Sequence, residues 1–128
     1  MAVLVLDAGV LIAHERRDRT AEAWLARAAD EAVELVVAAP TIAEIWRNGA
    51  RQARIARLLS ACRIIGCDRA LARNAGELLG QTGSRSTLDA IVIATAQHMS
   101  GAALTDDLDD LRPLASAAGV PIVSFSAQ

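Results

Sequence analysis

An α/β fold, with a central mostly parallel sheet of about five strands covered by helices on both faces, is predicted by three observations. Short apolar runs alternate with helical stretches along the whole chain. The runs are continuous rather than alternating in polarity, as strands buried on both faces require. The chain has 128 residues, enough to close one hydrophobic core and too few for two, so residues 1–128 are expected to form a single domain.

The elements follow in order. Residues 3–6, VLVL, read as a buried strand ending abruptly at Asp7. A helical stretch starts at about Gly9, and a second near Thr20, with Trp24, Leu25, Ala28 and Ala32 on one face. LVVAA, 35–39, is the next strand, closed by Pro40 and a helix start at Thr41. Asn48 and Gly49 interrupt, after which Ile55, Leu58, Leu59 and Cys62 make a helical stripe. RIIGC, 63–67, is a third strand, and Asp68 is the N-cap of a helix carrying Leu71, Ala72, Ala75, Leu78 and Leu79. Residues 81–85 form a loop, and 86–99 a helix apolar on most sides, hence buried between layers. AALT, 102–105, is strand four. The helix after it carries Leu108, Leu111, Leu114, Ala115 and Ala118 and is stopped by Gly119 and Pro121, before a last strand, IVSF.

Composition removes several function classes. Spanning a membrane takes about 20 consecutive apolar residues, and the longest uncharged stretch, 90–105, is shorter and broken by Gln97, His98 and Ser100. The start, MAVLVLD, lacks a basic region and meets Asp7 too early for a secretory signal, so the expected compartment is the cytoplasm. Cys62 and Cys67 have neither CxxC spacing nor a nearby His cluster and are expected to be reduced thiols. The net charge of −2 gives no general attraction to nucleic acid. All 13 basic residues are arginine, so every mechanism that needs a lysine, including the P-loop, is disfavoured.

Ligands of such folds bind outside the carboxyl ends of the strands, where strand order reverses. Acids stand there. Asp7 follows strand one and serves equally as a helix cap or a functional carboxylate. Thr41-Ile-Ala-Glu44 and Ser86-Thr-Leu-Asp89 each fit a capping box, and 106–110 holds four aspartates suited to a helix start. Each alone reads as structural. Their convergence on one sheet edge does not, because like charges a few Å apart repel unless a cation intervenes. Hard Mg2+, or Mn2+, suits oxygen ligands and supports in-line attack by an activated water on a phosphodiester.

The order LVLDAGVLIA, TIAE, STLDAIVIATA and LTDDLDD resembles the PIN-domain ribonucleases, and among them the VapC-type toxins of bacterial toxin–antitoxin pairs. The resemblance covers essentially the whole chain. It implies a PIN-like three-layer α/β/α fold with the first strand between the second and fourth. It implies a Mg2+- or Mn2+-dependent endoribonuclease with Asp7, Glu44, Asp89 and Asp107 as site acids and Asp110 as an accessory ligand. It also implies a homodimer and a small cognate VapB-type antitoxin that occupies the acidic groove. Within the aspartate cluster the pattern T-x-D-x-x-D selects Asp107 and Asp110 and leaves Asp106 and Asp109 as solvated acids, and Thr105 supplies the pattern's hydroxyl near substrate. Many members carry Ser or Thr where this chain has Gly9.

Arg47, Arg51, Arg54, Arg57 and Arg63 make a locally basic segment that reads as a solvated face or as contacts to phosphate or an acidic partner. Arg85, just before the third motif, is the candidate for a substrate phosphate. His14 and His98 are given no catalytic role, and Trp24 and Trp46 are expected in the core or a subunit interface. Two rivals remain: a PIN-fold module that only binds proteins, and a phospho-aspartate phosphohydrolase, which needs an Asp where Gly9 stands.

Overall fold

The structure is a computed structural model and describes residues 2–126. The elements are β1 (Val3–Leu6), α1 (Ala8–Glu15), α2 (Arg19–Asp30), β2 (Glu34–Ala38), α3 (Ala39–Ile45), α4 (Ala53–Ser60), β3 (Arg63–Ile65), α5 (Arg69–Thr82), α6 (Thr87–His98), β4 (Ala102–Thr105), α7 (Leu108–Ala118) and β5 (Ile122–Ser124). A 3-10 turn at Gly49–Arg51 precedes α4. The five strands are all parallel, in the order β3-β2-β1-β4-β5. Strand order therefore reverses at β1, which lies between β2 and β4.

Successive strand residues face opposite sides, and each side has its own core. Leu4, Leu6, Val37 and Leu104 pack against Val10 and Leu11 of α1, Leu25 of α2, Ile45 of α3 and Ile55 and Leu58 of α4. Val5, Val36, Ala38 and Ala103 pack against α5, α6 and α7, through Leu71, Leu78, Ile93, Leu111 and Leu114 among others. The result is the expected three-layer α/β/α arrangement. In α6 every residue from Ala90 to Ala96 is buried. That burial comes from the sheet beneath and α5 and α7 alongside, all of which α6 touches, and not from a position between two layers.

Several boundaries differ from the sequence expectation for identifiable reasons. Helix α2 ends at Asp30, and Ala32, expected on its apolar face, is exposed with φ 55. It is a left-handed residue past the helix end, a place usually filled by glycine. Helix α3 begins at Ala39, not Thr41; its N-cap, Ala38, has no side-chain cap bond, and Pro40 occupies the first turn. Proline is preorganised for that first turn, so it sets the start two residues early. Thr41 is then buried in the helix. Helix α5 runs two residues into the expected loop and ends at Gly83, φ 74.

Candidate active site

At the carboxyl ends of the central strands lies a cavity of about 250 Å³ whose lining includes Asp7, Glu44, Asp89, Asp106, Asp107 and Asp110. The acids come from four separate segments. Asp7 ends β1, and its backbone amide is bonded to the Leu104 carbonyl at 3.1 Å, which ties it to β4. It also caps α1, its Oδ1 accepting from the Val10 amide at 3.2 Å. Asp107 caps α7 in the same way, its Oδ1 accepting from the amides of Asp109 (3.0 Å) and Asp110 (3.4 Å). For both residues the cap and a place in the cavity lining are compatible, since only Oδ1 serves the helix amides.

The two presumed capping boxes leave their acids free as well. With α3 starting at Ala39, Glu44 lies in its last turn, too far along to cap anything. In α6 the Ser86 hydroxyl accepts from the Asp89 amide at 3.4 Å, but the Ser86 amide donates to Ser84 Oγ at 3.2 Å. The reciprocal partner is therefore taken, and the Asp89 carboxylate faces the cavity.

None of the described residues lining the cavity is basic. The electrostatics follow. Burial pushes the Asp7 carboxyl from 3.8 up to about 6. The Thr105 hydroxyl and the Val10 amide oppose the shift, and the charges of Asp106 and Asp89 add to it. Glu44 is also raised, by burial and then by Asp89. Asp110 is raised chiefly by the charge of Asp107. A carboxylate that is 7% exposed and lacks a counter-ion is suited to a cation. The all-oxygen donor set matches a hard divalent ion. Among the described residues no group of three or more acid, His or Cys side chains stands close enough together, as the side chains are placed, to hold a metal ion.

Other candidates take different places. Asp109 is outside the cavity, its side chain 91% exposed and paired with Arg112 at 3.4 Å. Asp106, expected to be a solvated acid like Asp109, lines the cavity. Thr105, expected near substrate, is fully buried beneath the acids; its Oγ1 accepts from the Asp107 amide at 3.0 Å. It also belongs to the cavity lining, below Asp7 and Asp107. Arg85 is exposed and does not line the cavity. His14 Nδ1 stands 2.6 Å from Glu22 Oε1, and Arg54 donates to the His14 carbonyl and to Glu22, each at 3.2 Å. This knot joins α1, α2 and α4 and accounts for one arginine of the basic segment. His98 lines a different cavity, with Asp68 and Asn74. Trp24 is half-buried against the α1–α4 core, and Trp46 is 38% exposed. Cys62 and Cys67 are unpaired, and burial pushes the Cys62 thiol up to about 11.

Gln52 was not anticipated. It is buried; its Oε1 accepts from the amides of Arg47 (2.9 Å) and Asn48 (3.0 Å), and its Nε2 donates to the Ile45 carbonyl at 2.8 Å. One side chain thus holds the segment that leaves Glu44. Gln52→Leu should orphan all three backbone groups and cost about 2 kcal/mol, measured as a lowered urea midpoint with unchanged slope.

Fold and site together define a small parallel α/β domain that gathers carboxylates at its strand-order reversal. The chain belongs to the PIN domain family, whose model matches residues 4–116. No curated protein sequence matches the chain significantly. Solved structures do. VapBC2 from Rickettsia felis, bound to a DNA fragment from its promoter, is similar with a TM-score of 0.79 at 15% identity, over 97% of this chain and 99% of that one. A toxin–antitoxin complex from Klebsiella pneumoniae is similar at 0.76 and 23%, over 98% and 99%. DNA-bound VapBC from Salmonella typhimurium is similar at 0.77 and 12%, over 98% and 100%. No helix among the described residues is long and apolar enough to cross a membrane.

Proposed function

We propose that the protein is a divalent-metal-dependent endoribonuclease of the VapC toxin type. The observation that carries this reading is the convergence of five site acids, Asp7, Glu44, Asp89, Asp107 and Asp110, on one groove with no basic side chain in its lining. Asp7, Asp89, Asp107 and Asp110 would hold the ion, Mg2+ or Mn2+. When bound, it would activate a water for in-line attack on an RNA phosphodiester and shield the charge on the leaving oxygen. Glu44, its carboxyl raised above the usual range by burial and then by the charge of Asp89, is suited to take the proton that water gives up. Thr105 and the two helix amides keep Asp7 and Asp107 aimed.

The similar solved structures are toxin–antitoxin complexes, which supports a cognate antitoxin for this chain; the homodimer rests on the sequence resemblance alone. An arginine from that partner would complement the unbalanced carboxylates through bidentate pairing. Arg85 is exposed outside the cavity lining, on the loop before α6, and would meet a substrate phosphate from there.

The test is cleavage of mixed cellular RNA with Mg2+ or Mn2+, with and without chelator. Asp107→Asn should lose about 100- to 1,000-fold in rate, the several kcal/mol of an ion-held transition state. Asparagine caps helices as well as aspartate does, so α7 should survive the change. Asp109→Asn should cut normally. Cleavage that ignores both chelator and Asp107→Asn would overturn the reading. A protein that binds a partner encoded beside it yet cuts nothing would favour a PIN-fold binding module instead.

A further inference from the structure

The position of Asp106 over Gly9 is a feature neither residue announces alone. Gly9 belongs to the first turn of α1, two residues after Asp7, and Asp106 lies between β4 and α7. A Cβ built on Gly9 would overlap the Asp106 carboxylate, 2.5 Å from Cγ and 2.8 Å from Oδ2. The carboxylate therefore occupies the space that a side chain at position 9 would fill. Its backbone is held on both sides: Ser126 Oγ donates to the Asp106 carbonyl at 3.3 Å, and the next residue, Asp107, caps α7. Asp106 also borders two adjoining cavities. One holds the site acids; the other, of about 300 Å³, shares Gly9, Ile12 and Asp106 with it and is lined further by Arg16 and Phe125.

We infer that Asp106, seated on the bare backbone of Gly9, is a further carboxylate of the metal site, holding the ion's water shell on the side that faces the adjoining cavity. The inference rests on reading the groove as a divalent-metal site. It replaces a picture in which Asp106 and Asp109 are equivalent solvated acids: both are exposed, but only Asp106 reaches the groove. It also gives Gly9 a purpose, because the site acquires an acid by omitting a side chain. Groups that orient a metal's ligands and waters are typically worth 10- to 100-fold in affinity.

The experiment measures Mn2+ affinity by calorimetry on the intact, metal-stripped protein, for wild type, Asp106→Asn, Gly9→Ala, the double variant, and Asp109→Asn as a control for charge alone. Asp106→Asn should weaken Mn2+ about tenfold or more. Gly9→Ala keeps every acid and should weaken it comparably, because the methyl displaces the carboxylate. The double variant should be no worse than the weaker single, since both remove one interaction. Asp109→Asn should bind like wild type. Thermal unfolding of the metal-free variants separates these effects from misfolding, because alanine in a first helical turn favours the fold. If wild type binds Mn2+ and Asp106→Asn and Gly9→Ala bind it equally well, the inference fails while the proposed function stands. Additive losses in the double variant would also overturn it. If wild type binds no Mn2+, the metal-site reading itself fails.

Discussion

Asp7→Asn should yield a protein that is more stable than wild type when metal-free at pH 8, and that is inactive on RNA. The sign follows from the buried carboxyl. Its proton is held up to about pH 6 in the fold against 3.8 for the free group, so between those values the native chain carries a proton that the unfolded chain has lost. Stability from this group is therefore fully present below 3.8 and is lost as pH rises through about 6. The full loss is roughly 3 kcal/mol, from about two pKa units at 1.36 kcal/mol each. Asparagine retains the cap to Val10 and cannot ionise. It should recover about 1–2 kcal/mol at pH 8, the rest being the cost of burying an amide, and nothing near pH 4. Thermal melts of both proteins across this range, in chelator, check it. Adding Mn2+ should reverse the order, since an ion at 100 times its Kd stabilises the native state by about 2.7 kcal/mol and the variant lacks the ligand. A variant no more stable than wild type at pH 8 would mean that Asp7 already has a balancing charge.

Ile93→Ala should have the largest effect on folding. Ile93 is fully buried in α6, which the sheet, α5 and α7 enclose. Truncating such a side chain removes its burial and leaves a cavity that close-packed neighbours cannot collapse, for about 2–5 kcal/mol. That is a large share of the 5–15 kcal/mol by which small domains are stable. Asp89 sits one turn earlier on the same helix, yet its capping by Ser86 does not involve Ile93. The variant should therefore bind Mn2+ normally at low temperature while its melting point falls steeply. A melting point within a few degrees of wild type would show that α6 repacks.

Much of this molecule is legible in the chain because its strands are covered on both faces. VLVL, LVVA and AALT then appear as unbroken apolar runs, and the acid ending each motif stands out against them. Asp7, Glu44, Asp89, Asp107 and Asp110 do meet in one cavity. The local reading of TIAE failed, because a capping box is defined by residue types while the helix start was set by Pro40 just before it. Asp106 and Gln52 were illegible for a different reason. The seat of Asp106 is a glycine nearly a hundred residues away, and the partners of Gln52 are backbone groups, which carry no sequence signature. Thr105 matched its motif, but only its depth in the fold reveals that it braces the turn from the floor of the groove.

The amides that Asp7 and Asp107 cap have one more consequence. Each helix N-terminus carries roughly half a positive charge, so α1 and α7 act as a resting counter-charge aimed at the groove. The capped amides thereby offset part of the negative charge that the acids bring together. An ion at the proposed site would add its charge to theirs while both caps stay in place.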